Sequence, residues 1–146
     1  MSNPSSKLPS TILVVEDEGL VRITVADELR DRNFEILEAS TGDEAVKLLR
    51  SGAEVDLVFT DVRMPGSIDG IALTRLIKTE FPAIKVIVTS GHISALQAGM
   101  ADGFFTKPYD LASVARNIET ALNLKTRAPS QSTGSAKANQ LMFAAE

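Results

Sequence analysis

The sequence predicts an α/β fold in which a parallel sheet is covered by helices on both faces. Three observations carry that reading. Five short apolar runs alternate with stretches of helical spacing or helix-capping residues. The runs are continuously apolar instead of alternating with polar residues, as strands buried on both faces are. The chain has 146 residues, 44% of them hydrophobic, which suffices for one domain with one core.

Residues 1–10, rich in Ser, Pro and Asn and without periodicity, predict a flexible arm. The first strand is Thr11 to Val15, and it ends in Glu16-Asp17-Glu18. Val21, Val25 and Leu29 then recur at helical spacing among Arg22, Asp27, Glu28, Arg30, Asp31 and Arg32, an amphipathic helix ending near Asn33. Phe34 to Ala39 is a second strand. Thr41-Gly42-Asp43-Glu44 has capping-box spacing and opens a helix through Ala45, Leu48 and Leu49 that stops at Ser51-Gly52. Asp56 to Thr60 is a third strand, delivering Asp61 to the turn Val62-Arg63-Met64-Pro65-Gly66.

After a loop to Gly70, a third helix turns Leu73, Leu76 and Ile77 inward and ends at Phe81-Pro82. Ile84 to Thr89 is a fourth strand, followed by Ser90-Gly91-His92. From Ile93 to Met100 there is room for only about two helical turns, interrupted by Gly99. Gly103 to Thr106 is the fifth strand. Asp110 caps a last helix whose inward face is Leu111, Val114, Ala115, Ile118 and Leu122. Residues 126–146, rich in Ala, Ser, Gln and Asn with only Leu141-Met142-Phe143 apolar, predict a disordered tail.

Composition removes several function classes. A net charge of -4 argues against a nucleic-acid footprint. No stretch approaches the roughly 20 apolar residues of a membrane span, and the N-terminus lacks a signal-peptide pattern, so the expected compartment is the cytoplasm. With no Cys there is no disulfide framework or thiolate chemistry. The single His92 excludes a multi-histidine metal site, and a Ser-His-Asp triad would have to run through it. No G-x-G-x-x-G follows the first strand, which weakens a dinucleotide reading.

The informative residues are acids at strand ends. Asp61 closes an apolar strand at the edge where open parallel sheets bind ligands. Alone, it reads equally well as an aspartate capping the next turn. The first strand, however, delivers Glu16 and Asp17 to the same edge if both strands are central and parallel. At about 5 Å and an effective dielectric near 20, each like-charge pair costs roughly 3 kcal/mol, which a cation would relieve. Hard oxygen ligands in small number suit Mg²⁺. The competing reading is a solvated acidic turn with raised pKa values and no metal.

Glu16-Asp17 after the first strand, Asp61 with Met64-Pro65 and Asp69-Gly70 after the third, Ser90 after the fourth and Lys107-Pro108 after the fifth occur in that order. The set resembles the receiver domain of two-component response regulators over residues 11–125. The resemblance implies a flavodoxin-like (βα)5 three-layer sandwich with sheet order 2-1-3-4-5. It implies phosphorylation of Asp61 by a phosphohistidine on a histidine kinase or histidine phosphotransferase, with Mg²⁺ held by Asp17, Asp61 and the backbone carbonyl of Arg63. Glu16 would bind a metal water, where many relatives carry Asp. Lys107, before a family-type cis proline bond, would neutralise phosphoryl oxygens, since a carboxylate is a weak nucleophile until its target is made electrophilic. Ser90 would donate to a phosphoryl oxygen, and Phe104, three residues before Lys107, would be the aromatic that swings inward on activation. Arg63 and His92 fall at the rim, where hydrolysis is controlled.

Three departures shape the expectation. Ser67 is an extra residue in the loop between Pro65 and Asp69, the region 91–102 allows only a shortened helix, and the tail is too short and polar to fold as an output domain. The expected protein is a single-domain receiver, monomeric or weakly dimeric. It would signal by docking to an unknown downstream protein, and it would lose its phosphoryl group slowly by itself without being a turnover enzyme. Two rivals are weaker. A haloacid-dehalogenase-like phosphatase wants an Asp where Arg63 stands, and a phosphorylation-independent pseudo-receiver has no need of Asp17, Asp61, Ser90 and Lys107.

Overall fold

The computed structural model describes residues 9–91 and 100–123 of the chain. The arm up to residue 8, His92, residues 93–99 of the stretch expected to form a shortened helix, and the 126–146 tail lie outside the described residues.

Among the described residues nine elements follow one another: β1 (Thr11–Val15), α1 (Gly19–Arg30), β2 (Glu35–Ala39), α2 (Gly42–Arg50), β3 (Leu57–Asp61), α3 (Gly70–Glu80), β4 (Lys85–Ser90), β5 (Gly103–Thr106) and α4 (Leu111–Ala121). The strands are all parallel, in the order β2-β1-β3-β4-β5. This is the expected flavodoxin-like sheet. Its chain order reverses at β1, so a crevice opens at the C-terminal ends of β1 and β3.

The continuous apolar runs have a simple cause. Successive strand residues point to opposite faces, and each face is roofed by helices. Ile12, Val14, Leu57, Phe59 and Ile87 pack with Val25, Ala26 and Leu29 of α1 and Val114, Ala115 and Ile118 of α4. Leu13, Val15, Val58, Val86 and Val88 pack with Ala45, Val46 and Leu49 of α2 and Leu73 and Ile77 of α3. Phe104 joins the second cluster and Phe105 the first, both half-buried, as strand alternation at β5 requires.

Boundaries differ from the sequence reading by one to three residues, for local reasons. Helix α1 stops at Arg30 because Asn33 adopts φ 71°, and the Phe34 N–H then donates to the Leu29 carbonyl. Asp56 lies outside β3: its N–H and carboxylate are bound to the carbonyl and N–H of Thr11. Asp61 is the last paired residue of β3, opposite Thr89, at the strand's C-terminal end where the sequence reading placed it. In α2, Thr41 Oγ1 accepts from the Glu44 N–H as a capping box should, but the Glu44 carboxylate reaches back to Ser40 N–H and Oγ. Asp69 caps α3 through the Ala72 N–H and Asp110 caps α4 through the Ala112 N–H.

Candidate functional site

The sheet brings the strand-end acids together. One carboxylate oxygen each from Glu16, Asp17 and Asp61 lies within 4.8 Å of the others. Glu16 and Asp61 are buried, whereas Asp17 faces solvent. Register explains the approach: Val15 pairs with Thr60, so the residues that follow each leave neighbouring strands at the same height.

Each acid is held differently. Asp61 Oδ1 accepts from the Val62 N–H at 2.9 Å and Oδ2 accepts from Lys107 Nζ at 3.1 Å. Glu16 Oε2 accepts from the Glu18 N–H at 3.0 Å, and its Oε1 lies 3.9 Å from Lys107 Nζ. Lys107 follows β5, where its N–H donates to the Ser90 carbonyl at 2.8 Å, and the bond to Pro108 is cis. Ser90, buried, ends β4 directly opposite Thr106. Lys107 and Ser90 thus flank Asp61 from the β4–β5 side.

Lys107 faces the two buried acids, Glu16 and Asp61. Burial raises the Glu16 carboxyl to about 7, with the charges of Asp61 and Asp17 adding to it and the Glu18 N–H and Lys107 opposing. Burial likewise raises Asp61 against the opposing pull of Lys107 and the Val62 N–H. Burial alone would lower Lys107, but Asp61 and Glu16 outweigh it and hold the ammonium above its ordinary range. The two members of the ion pair shift the same way because desolvation of Asp61 exceeds what a single ammonium returns.

The donor set fits a small hard cation. Three carboxylates within reach of one point, two of them desolvated and, among the described residues, served by the Lys107 ammonium alone, leave negative charge that Mg²⁺ would match. Among the described residues this is the only such cluster. Arg63 is exposed and lines an open cleft of about 410 Å³ with Met64, Pro65 and Asp69, just past the end of β3. His92 is outside the described residues.

Two contributors escape the sequence reading. Tyr109 is buried, edge-on to Phe59 with centroids 6.0 Å apart and tilted against Phe105 at 6.3 Å. Burial, then Glu16 and Asp61, raise its phenol, so the ring sits close to the acids. Its signal is its place two residues after Lys107. Arg22 donates to the Glu16 carbonyl at 2.9 Å. Its signal is weaker, because an arginine on a helix's polar side is ordinarily a solvated one.

Comparison with known proteins agrees with this geometry. Residues 12–119 match the family model of the response regulator receiver domain. The sensor kinase CckA of Brucella abortus is 36% identical over 119 residues, which is 77% of this chain but only 12% of that protein. Among solved structures, the receiver domain of NtrX from Brucella abortus is 36% identical with a TM-score of 0.69, covering 78% of this chain and 99% of that one. The response regulator TrrA of Thermotoga maritima, solved in complex with Mg²⁺-BeF, is 30% identical with a TM-score of 0.70, covering 77% and 98%. The family match takes in every strand of the sheet save the first residue of β1, and the chain therefore belongs to the response regulator receiver domain family.

Proposed function

We propose that Asp61 is the phosphoacceptor of this receiver domain, with a histidine kinase or histidine phosphotransferase as donor. The observation that carries this reading is the Lys107 ammonium 3.1 Å from Asp61 Oδ2, at an edge where Glu16 and Asp17 also converge. Receiver domains accept phosphoryl groups from histidine kinases. In the reaction, a carboxylate oxygen of Asp61 attacks phosphorus. The P–N bond of the phosphohistidine breaks, its electron pair returns to the imidazole, and an acyl phosphate remains on Asp61.

The side chains here position charge, as phosphoryl transfer mainly requires. Lys107 moves from a carboxylate oxygen to a phosphoryl oxygen as a compact cation on a flexible stem. Asp17, Asp61 and the Arg63 carbonyl would hold Mg²⁺, with Glu16 acting through a metal water. When bound, Mg²⁺ neutralises phosphoryl charge that Lys107 alone leaves uncompensated. Ser90, opposite Thr106, supplies a hydroxyl to the phosphoryl group. Its capture together with Lys107 biases β4 and β5 toward an arrangement in which Phe104 packs deeper, a population shift read by a downstream protein. Arg63, at the cleft rim, shields the acyl phosphate from water with its fixed fork of donors.

The test is incubation with acetyl phosphate, followed by intact mass. One phosphoryl group is expected with Mg²⁺, none with EDTA and none on Asp61→Asn. Arg63→Ala should load normally and lose the group faster, on the order of threefold, the effect of an exposed charge worth under 1 kcal/mol. Undiminished labelling of Asp61→Asn, or labelling in EDTA, overturns the assignment.

A further inference from the structure

The acidic turn between β1 and α1 lacks the usual anchor. Glu18, the N-cap of α1, makes no side-chain capping bond, and the first turn of the helix carries no acidic residue. The backbone of the turn is instead tied at three points, one of them the Glu18 N–H donating to Glu16 Oε2 at 3.0 Å. The Glu16 N–H donates to the Ala39 carbonyl of β2, and the Glu16 carbonyl accepts from Arg22 Nη1 at 2.9 Å. Arg22 is itself fixed: its Nε donates to Glu38 Oε1 on β2 at 3.1 Å, and Glu38 also accepts from Arg30. Its side chain is only 21% exposed, and its other terminal nitrogen lies over Gly19, 3.9 Å from where a methyl there would sit.

We infer that Arg22, clamped by Glu38, is the positioning residue that sets the acidic turn for cation binding. The carbonyl it holds belongs to the peptide joining Glu16 to Asp17. Fixing that peptide plane fixes the direction in which the Asp17 side chain leaves the backbone. Asp17 is the exposed member of the cluster, so its aim depends on its backbone more than on surrounding packing. A planar guanidinium suits the task because it serves a carboxylate and a carbonyl at once in a rigid fork. The inference rests on the reading of Glu16, Asp17 and Asp61 as the Mg²⁺ site and adds the group that orients Asp17 within it.

Two roles for Arg22 predict opposite signs. Were it merely a nearby positive charge, its removal would lower repulsion and tighten cation binding. As a positioning residue, its removal frees the turn and weakens binding. The experiment is titration calorimetry of the full chain with MgCl₂, comparing wild type with Arg22→Met, Arg22→Lys, Asp17→Asn and Arg32→Met. Arg32 pairs with Glu28 on the outer side of α1 and serves as the control.

The expected result is a loss of about tenfold in Mg²⁺ affinity for Arg22→Met, the scale of losing a group that orients ligands. A smaller loss is expected for Arg22→Lys, which keeps the charge but has no fork, and none for Arg32→Met. Circular dichroism of the metal-free variants reports folding. Unchanged or tighter binding in folded Arg22→Met or Arg22→Lys overturns the inference, and so does unfolding of both, which would make Arg22 a stability residue. A wild type that does not bind Mg²⁺, or an Asp17→Asn variant that binds it as well, overturns the underlying reading instead.

Discussion

Gly70 begins α3 at a point where a methyl group has no room. A Cβ there would stand 2.1 Å from the Asp61 carbonyl oxygen and 2.7 Å from Val62 Cα, both backbone atoms. The Gly70 N–H donates to the Val62 carbonyl at 2.8 Å, so the start of the helix presses directly against the end of β3. Gly70→Ala gains at most about 1 kcal/mol of helix propensity and incurs roughly 2–3 kcal/mol of overpacking. A net destabilisation of about 1–2 kcal/mol is expected in urea denaturation, with slower labelling of Asp61 because its carbonyl must move. Gly19→Ala, at the equivalent first position of α1, meets nothing nearer than 3.9 Å and should be as stable as the wild type or up to about 1 kcal/mol more stable. At this scale the sequence makes Asp61 and Lys107 legible, since each ends an apolar strand at a turn. The closeness of Gly70 to Asp61 is invisible there, because both positions look like ordinary loop punctuation.

Among the elements, β5 is the most weakly specified, with four residues and no fully buried one. Asp102 compensates. Its N–H donates to the Val86 carbonyl at 2.7 Å, its carboxylate accepts from the Val86 N–H at 2.8 Å, and Lys78 of α3 reaches the same oxygen at 2.6 Å. Burial would raise the Asp102 carboxyl, but Lys78 and the Val86 N–H hold it below the usual carboxylate value. The folded value is therefore the lower one. The stabilisation is complete above the unfolded value of 3.8 and is lost as pH falls through the folded value. Asp102→Ala should cost about 1–3 kcal/mol at pH 7, and the gap from wild type should close below about pH 4, both read from urea midpoints. Nothing in the sequence singles out Asp102, which precedes a strand in the manner of many turn aspartates. Its partners lie 16 and 24 residues away and meet it only after β4 and β5 pair.

For the molecule as a whole, cation binding and folding are linked. A ligand that binds the folded chain alone stabilises it by about 2.7 kcal/mol at a hundredfold excess over its Kd. Saturating MgCl₂ is thus expected to raise the melting midpoint of the wild type on the order of 10 °C, and to leave Asp17→Asn nearly unmoved. Equal shifts in both proteins would assign the stabilisation to general salt effects. No helix among the described residues is long and apolar enough to cross a membrane.

By itself the sequence determined the parallel sheet, its two covered faces and the meeting of Glu16, Asp17 and Asp61. Continuous apolar runs leave strands no exposed face, and acids that end two central parallel strands must share an edge. Only the tertiary structure decided how those acids are held. Tyr109 against Phe59 and Asp102 across β4 join elements far apart in the chain, while Arg22 on the Glu16 carbonyl and Gly70 beneath Asp61 join consecutive elements whose mutual rotation the spacing does not report. Side-chain periodicity reports which face is buried. It carries no record of which polar group on a neighbouring element stands within hydrogen-bonding distance, since that depends on register and helix rotation fixed by the packed core.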